Sequence, residues 1–126
     1  MILNVLALID RFDRDDCVKT AAYVAMAAGA GLVLAIDPQD APFMRLEAEM
    51  NHLVDAALAA GVPTSTMLID LADVDAVLCA VRNHRIDVVV LPGMDEATAA
   101  MRAITSALFD AGIATVPVAT YPAVPA

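Results

Sequence analysis

Positive charge is scarce in this chain. One lysine, Lys19, and six arginines face sixteen carboxylates, for a net charge of −9 over 126 residues. A nucleic-acid backbone would be repelled by most of such a surface, so nucleic acid is excluded as a partner. Anionic membrane surfaces are disfavoured for the same reason. Cysteine is scarcer still. Cys17 and Cys79 lie far apart, and neither has a second cysteine or a histidine at metal-ligand spacing, so the expectation is two reduced, semi-buried thiols. The two histidines, His52 and His84, fall in helical patterns without a partner at ligand spacing, which argues against a metal or catalytic role. Apolar residues make up 60 % of the chain, much of it alanine, yet no apolar run approaches the roughly 18 residues of a membrane span. The first sixteen residues, MILNVLALIDRFDRDD, lack a basic n-region and a small-residue cleavage site, so no signal peptide is read and a cytoplasmic location is expected.

What is present is a rhythm. Ile2 to Ile9 is an apolar run of strand length ending in Asp10. Its continuous apolarity predicts a strand covered on both faces. After a charged loop, Asp13 or Asp15 is placed to cap a helix from about Asp16 to Ala28, closed by Gly29 to Gly31. Gly31 to Ile36 is a second buried strand, closed by Asp37-Pro38. A helix is predicted from about Asp40 to Ala60. Phe43, Leu46, Met50, Leu53, Val54, Ala57 and Leu58 form its apolar face. Thr64 to Ile69 alternates polar with apolar and so belongs at a sheet edge. Asp73 caps a helix from Val74 to His84, with Val74, Val77, Leu78 and Val81 inward. Ile86 to Leu91 is a fourth strand. It turns at Pro92-Gly93 into a helix from about Ala97 to Asp110. Ile113 to Thr120 is a fifth strand, and Pro117 within it demands an edge or an unpaired side. Alternating strands and helices predict one α/β domain over residues 1–126, with a doubly wound parallel sheet and helices on both faces. Ligands in such sheets bind beyond the carboxyl ends of the strands, where the winding reverses.

The pieces VLALID (Val5–Asp10), GAG (Gly29–Gly31), LVLAID (Leu32–Asp37), DVVVLPG (Asp87–Gly93) and VPV (Val116–Val118) follow one another in this order. Together they resemble the universal stress protein family over nearly the whole chain. The resemblance implies five strands in the order 3-2-1-4-5, a homodimer formed through the last strand (Ile113 to Thr120), and a regulatory role in stress response. It also implies a nucleotide crevice, with Asp10 against the adenine base, Ile36 lining the pocket, and a G-2x-G-9x-G-(S/T) loop after the fourth strand holding phosphate. Gly93 matches the first glycine of that loop. Counting on, Glu96, Ser106 and Ala107 take the other positions. A register one residue earlier gives Pro92, Asp95, Thr105 and Ser106 instead. Either register places a carboxylate beside the phosphates. Two like charges about 4 Å apart cost on the order of 4 kcal/mol at an effective dielectric near 20. ATP is therefore not expected to bind in the ordinary way without a metal ion or arginine to offset that repulsion. The crevice that the resemblance implies is Asp10, Ile36, Gly93, Thr105 and Ser106.

Asp10, Asp37 and Asp70 each end a predicted strand. They can line an altered ligand crevice, with a divalent cation on Asp10 and Asp95 or Glu96, or simply begin turns and cap helices. Arg11, Arg14 and Arg102 can converge on the same crevice to accept an anion, or lie on a solvated surface. Thr105 and Ser106 fall within a helix, where hydroxyls bond back to a preceding carbonyl. Three functions stay open: a homodimeric regulatory binding protein with a protein partner, an ATP- or AMP-binding protein with an unusual phosphate loop, and a response-regulator-like phosphoacceptor using Asp70. No nucleophile elbow, and no base paired in sequence with a hydroxyl, supports an enzyme.

Overall fold

The computed structural model describes residues 3–12, 14–38, 41–92 and 99–118. Five strands, β1 (Asn4–Ile9), β2 (Gly31–Ile36), β3 (Thr64–Leu68), β4 (Ile86–Leu91) and β5 (Ala114–Pro117), alternate with four helices. The helices are α1 (Asp15–Ala28), α2 (Phe43–Leu58), α3 (Val74–Asn83) and α4 (Ala99–Asp110). Every pairing is parallel, and the order across the sheet is β3-β2-β1-β4-β5. The chain starts in the middle, winds one way through β2 to β3, then reverses at β1/β4 and winds out to β5.

The continuous apolar strands follow from this placement. On β1, Val5, Ala7 and Ile9 pack with α1 and α2 on one face, while Leu6 and Leu8 pack with α3 and α4 on the other. A strand between two helical layers has no solvent face, so period-two alternation of polar residues disappears. Fully burying one such leucine is worth about 1.5–3 kcal/mol. α1 fits tightly because its inward stripe is Cys17, Val18, Ala21, Ala22 and Ala25, whose small side chains bring the helix close to the sheet. β3 lies at the edge, as its alternating sequence predicts, and its side chains are only partly covered. β5 forms the other edge. Pro117 sits opposite Leu91 in the register, so the strand accommodates its proline at the sheet boundary.

Several boundaries differ from the sequence reading. α2 begins at Phe43 rather than near Asp40, with Pro42 as its N-cap at φ −59°, ψ 145°. A proline disfavours helical geometry in the residue before it, so Ala41 cannot belong to the first turn. Leu46 is the first buried residue of α2, which leaves Phe43 77 % exposed instead of inward, and Leu58 is half-exposed at the other end. α1 is capped by Arg14 without a side-chain hydrogen bond, not by Asp15, which lies inside the helix; Asp13 is outside the described residues. Asp73 caps α3 as predicted, accepting from Ala76 N at 3.1 Å. β3 ends one residue short of Ile69, β5 spans Ala114–Pro117, and Ala119 and Thr120 lie outside the described residues. Cys17 is buried and Cys79 exposed, so the two thiols are not alike. His52 Nε2 lies 3.4 Å from the Asp15 carboxylate, across from α2 to α1, an exposed contact with one carboxylate. No helix among the described residues is long and apolar enough to cross a membrane.

Candidate functional site

The carboxyl edge of the sheet is where the winding reversal makes room for a ligand. It is built from the residues that follow β1, β2, β3 and β4. Each strand end is tied to its neighbour: Asp37 N donates to Ile9 O at 3.0 Å, Ile69 N to Ile36 O at 3.0 Å, and Val118 N to Leu91 O at 2.9 Å.

Asp10 stands at the end of β1, next to the β1/β4 reversal. Its carboxylate is gripped by Arg14, which donates Nε to Oδ1 at 2.7 Å and an Nη nitrogen to Oδ2 at 3.2 Å. This fork-on-fork pairing is the stronger kind of charge-assisted contact. Arg14 is only 7 % exposed, which corrects the reading of it as solvated surface. A guanidinium at that depth is tolerable because a carboxylate neutralises it and takes two of its donors. Arg11 and Arg102 are exposed.

Beneath this pair lies Cys17, on the first turn of α1. Its Sγ is 3.7 Å from Leu8 O on β1 and 4.0 Å from Val90 O on β4, so one thiol spans the two strands at the reversal. Burial first, then the negative charges of Asp16 and Asp10, push its pKa from 9.0 up to about 12. It is a protonated, packed thiol and no nucleophile at neutral pH.

The other acidic strand ends are engaged in local structure. Asp37 Oδ2 accepts from Leu71 N at 3.1 Å, which pins the β3–α3 turn against the end of β2. Asp70 Oδ1 accepts from Ala72 N at 2.9 Å, closing its own turn. Among the described residues, no three His, Cys, Asp or Glu side chains come together as a metal site.

Ile36 is fully buried in the cluster that β2 shares with α1 and α2. Thr105 and Ser106 lie on α4, beyond the first turn from Ala99, whereas free helical amides belong to the first turn. Thr105 donates its hydroxyl to Met101 O at 2.8 Å, and Ser106 is exposed. Gly93, Met94, Asp95 and Glu96 lie outside the described residues. Arg14 is the residue whose depth the sequence hid. Its only signal was its place in the charged run after β1.

No family model matches the sequence, and no curated protein matches it. Solved structures do. A universal stress protein in complex with cAMP superposes at TM-score 0.67 with 21 % identity, covering 95 % of this chain and 98 % of that one. A universal stress protein from Archaeoglobus fulgidus reaches TM-score 0.72 at 12 % identity, covering 94 % and 95 %. The fold is that of the universal stress proteins. A further structure of this fold, the Archaeoglobus fulgidus protein in complex with dAMP, aligns at TM-score 0.70 and 14 % identity over 94 % and 98 % of the two chains. The universal-stress fold thus accounts for the described sheet order and for the position of Asp10 at the reversal.

Proposed function

We propose that this chain is a small regulatory binding protein of the universal-stress kind. It acts as a cytoplasmic homodimer, recognises a protein partner rather than catalysing a reaction, and does not take ATP in the ordinary way. The observation that carries this reading is the buried Arg14–Asp10 pair. Asp10 occupies the position expected to meet an adenine base, and its carboxylate is already held by two donors of Arg14. A nucleotide using Asp10 must part a nearly buried pair. Breaking such a pair costs about 3 kcal/mol, which lowers affinity roughly a hundredfold. The dimer reading is supported by β5, an edge strand with only β4 beside it and partly exposed side chains.

A second reading is an adenine mononucleotide as ligand. Two structures of this fold hold cAMP and dAMP, and Arg14 offers a cation that could turn from Asp10 to a single phosphate. The phosphoacceptor reading gains no support, because the Asp70 carboxylate closes its own turn.

Calorimetric titration of the whole chain with ATP and magnesium, and separately with cAMP and AMP, decides among these. The first reading expects weak or no heat with ATP, and tighter ATP binding in Arg14→Ala, where the base position is released. Micromolar ATP binding by the unaltered chain would overturn it. Binding of cAMP or AMP alone, abolished by Arg14→Ala, would establish the second. Sedimentation should show a dimer; a monomer at high concentration would remove the β5 interface.

A further inference from the structure

The sheet has a second concavity, at its amino-terminal edge. The C-terminal half of α3, the start of β4 and the segment leading into β5 border an open cleft of about 360 Å³. That is within the size range of small-molecule sites, roughly 300–1,000 Å³. Leu78, Val81, Ile86 and Ile113 give it an apolar lining, while Arg82, Arg85 and Asp87 supply its charge. We infer that this cleft binds a small organic anion with an apolar body, such as a medium-chain or aryl carboxylate.

Three observations converge on that ligand. Charge comes first. Two arginines line the cleft, in a chain whose net charge is −9. Neither makes a side-chain hydrogen bond or ion pair among the described residues, so both are free to bind. The single carboxylate, Asp87, already accepts from Leu3 N at 2.7 Å. The local balance favours an anion, and a guanidinium fork matches a carboxylate in shape.

Backbone conformation is the second. The turns that close α1, α2 and α4 carry Gly29, Gly61 and Gly112 at positive φ. The turn closing α3 puts Arg85 at φ 51°, the one non-glycine residue at positive φ among the described residues. Arginine there is strained where glycine would not be. Arg85 is one of the residues that line the cleft.

Third, the lining is anchored. The β1–β4 register skips Asp87, pairing Asn4 with Ile86 and Val5 with Val88, an irregularity that offsets Asp87 from the ladder beside Ile86. Asn4 Nδ2 donates to His84 O at 2.8 Å and ties the α3 turn to the same place. The carbonyls of Ala80 and Arg82 are taken by His84 N and Arg85 N, which limits the negative charge that the helix end presents to the cleft.

The test uses the full chain and sodium octanoate, followed through the methyl signals of Ile86 and Ile113. Saturable shifts are expected with a dissociation constant on the order of millimolar or better, in keeping with a ligand of this size. Arg85→Gly, which suits the backbone, and Arg82→Gln, an exposed substitution, should each weaken binding about tenfold or more, the loss of a charge-assisted hydrogen bond. Octylammonium and 1-octanol should bind more weakly than octanoate. Absence of saturable shifts, equal binding of octylammonium or octanol, or indifference to both substitutions would overturn the assignment.

Discussion

Cys17 makes the β1/β4 reversal sensitive to alkaline pH in a way that can be calculated. In the unfolded chain its thiol titrates near 9.0; in the fold, burial raises it to about 12. Between these values the unfolded chain has lost a proton that the native protein keeps. Stability then falls as pH rises, by about 1.4 kcal/mol per pH unit across that window. Below pH 9 both states are protonated, and the thiol makes no contribution to the pH dependence. At about pH 10.5 the expected loss is about 2 kcal/mol relative to pH 8. That is a substantial part of the roughly 5–15 kcal/mol available to an ordinary domain.

The assay is urea unfolding under reducing conditions at about pH 8 and pH 10.5, on the natural chain and on Cys17→Ala. Every other ionisable group is common to both proteins, and the small cavity in the variant costs the same at either pH. The difference between the two pH dependences isolates the thiol. The natural chain should lose about 2 kcal/mol more than the variant. Parallel losses would refute the burial argument. A chemical check accompanies it: at about pH 8 a thiol with a pKa near 12 is ionised on the order of one part in 10,000. Iodoacetamide should therefore label exposed Cys79 and spare Cys17 until urea unfolds the chain.

Gly31→Ala should cost about 1–2 kcal/mol, because the added Cβ would lie 2.9 Å from Asn4 Oδ1 and displace the side chain that donates to His84 O. Chemical denaturation measures it, and an unchanged midpoint would mean that Asn4 moves freely. Asp73→Ala should remove about 1 kcal/mol through loss of the cap on Ala76 N, whereas Asp73→Ser should retain most of it. Arg85→Gly should stabilise the chain by about 1 kcal/mol by relieving the positive φ, read as a higher melting temperature; a lower one would show the turn unstrained. Leu53→Ala, which empties a fully buried position where α2 meets the sheet, should cost about 2–5 kcal/mol.

The architecture was legible because its signals are redundant. Continuous apolar strands such as Val5–Ile9 and Val88–Leu91 declare burial on both faces, and glycine or proline punctuates most of the helices. Phe43 was misplaced because period counting cannot say where a helix meets its neighbour; that is decided by Pro42 and by the reach of α1. Asp10 was legible as a strand-end carboxylate, whereas the depth of Arg14 was not. Whether an arginine after a strand points outward or folds back is set by tertiary geometry that no spacing rule encodes. The cleft at the amino-terminal edge was invisible for the same reason, since its charged and apolar borders come from α3, β4 and the approach to β5.

These two places divide the work of the sheet in opposite senses. At the carboxyl edge, where this fold offers its crevice, the side chains answer one another: Arg14 holds Asp10, Leu71 N occupies Asp37, and Ala72 N occupies Asp70. An incoming ligand there competes with bonds already made, and its affinity is reduced by what it must break. At the amino edge the reverse holds. Arg82 and Arg85 border an apolar cleft with their side-chain donors unengaged among the described residues, and one of them is kept at a backbone angle that glycine would suit better. A ligand there gains its contacts without first displacing a partner. The two edges therefore respond differently to the same substitution type: removing an arginine at the carboxyl edge should open a site, and removing one at the amino edge should close it. That opposition can be measured in two titrations on Arg14→Ala and Arg85→Gly, and no general loss of folding would produce it.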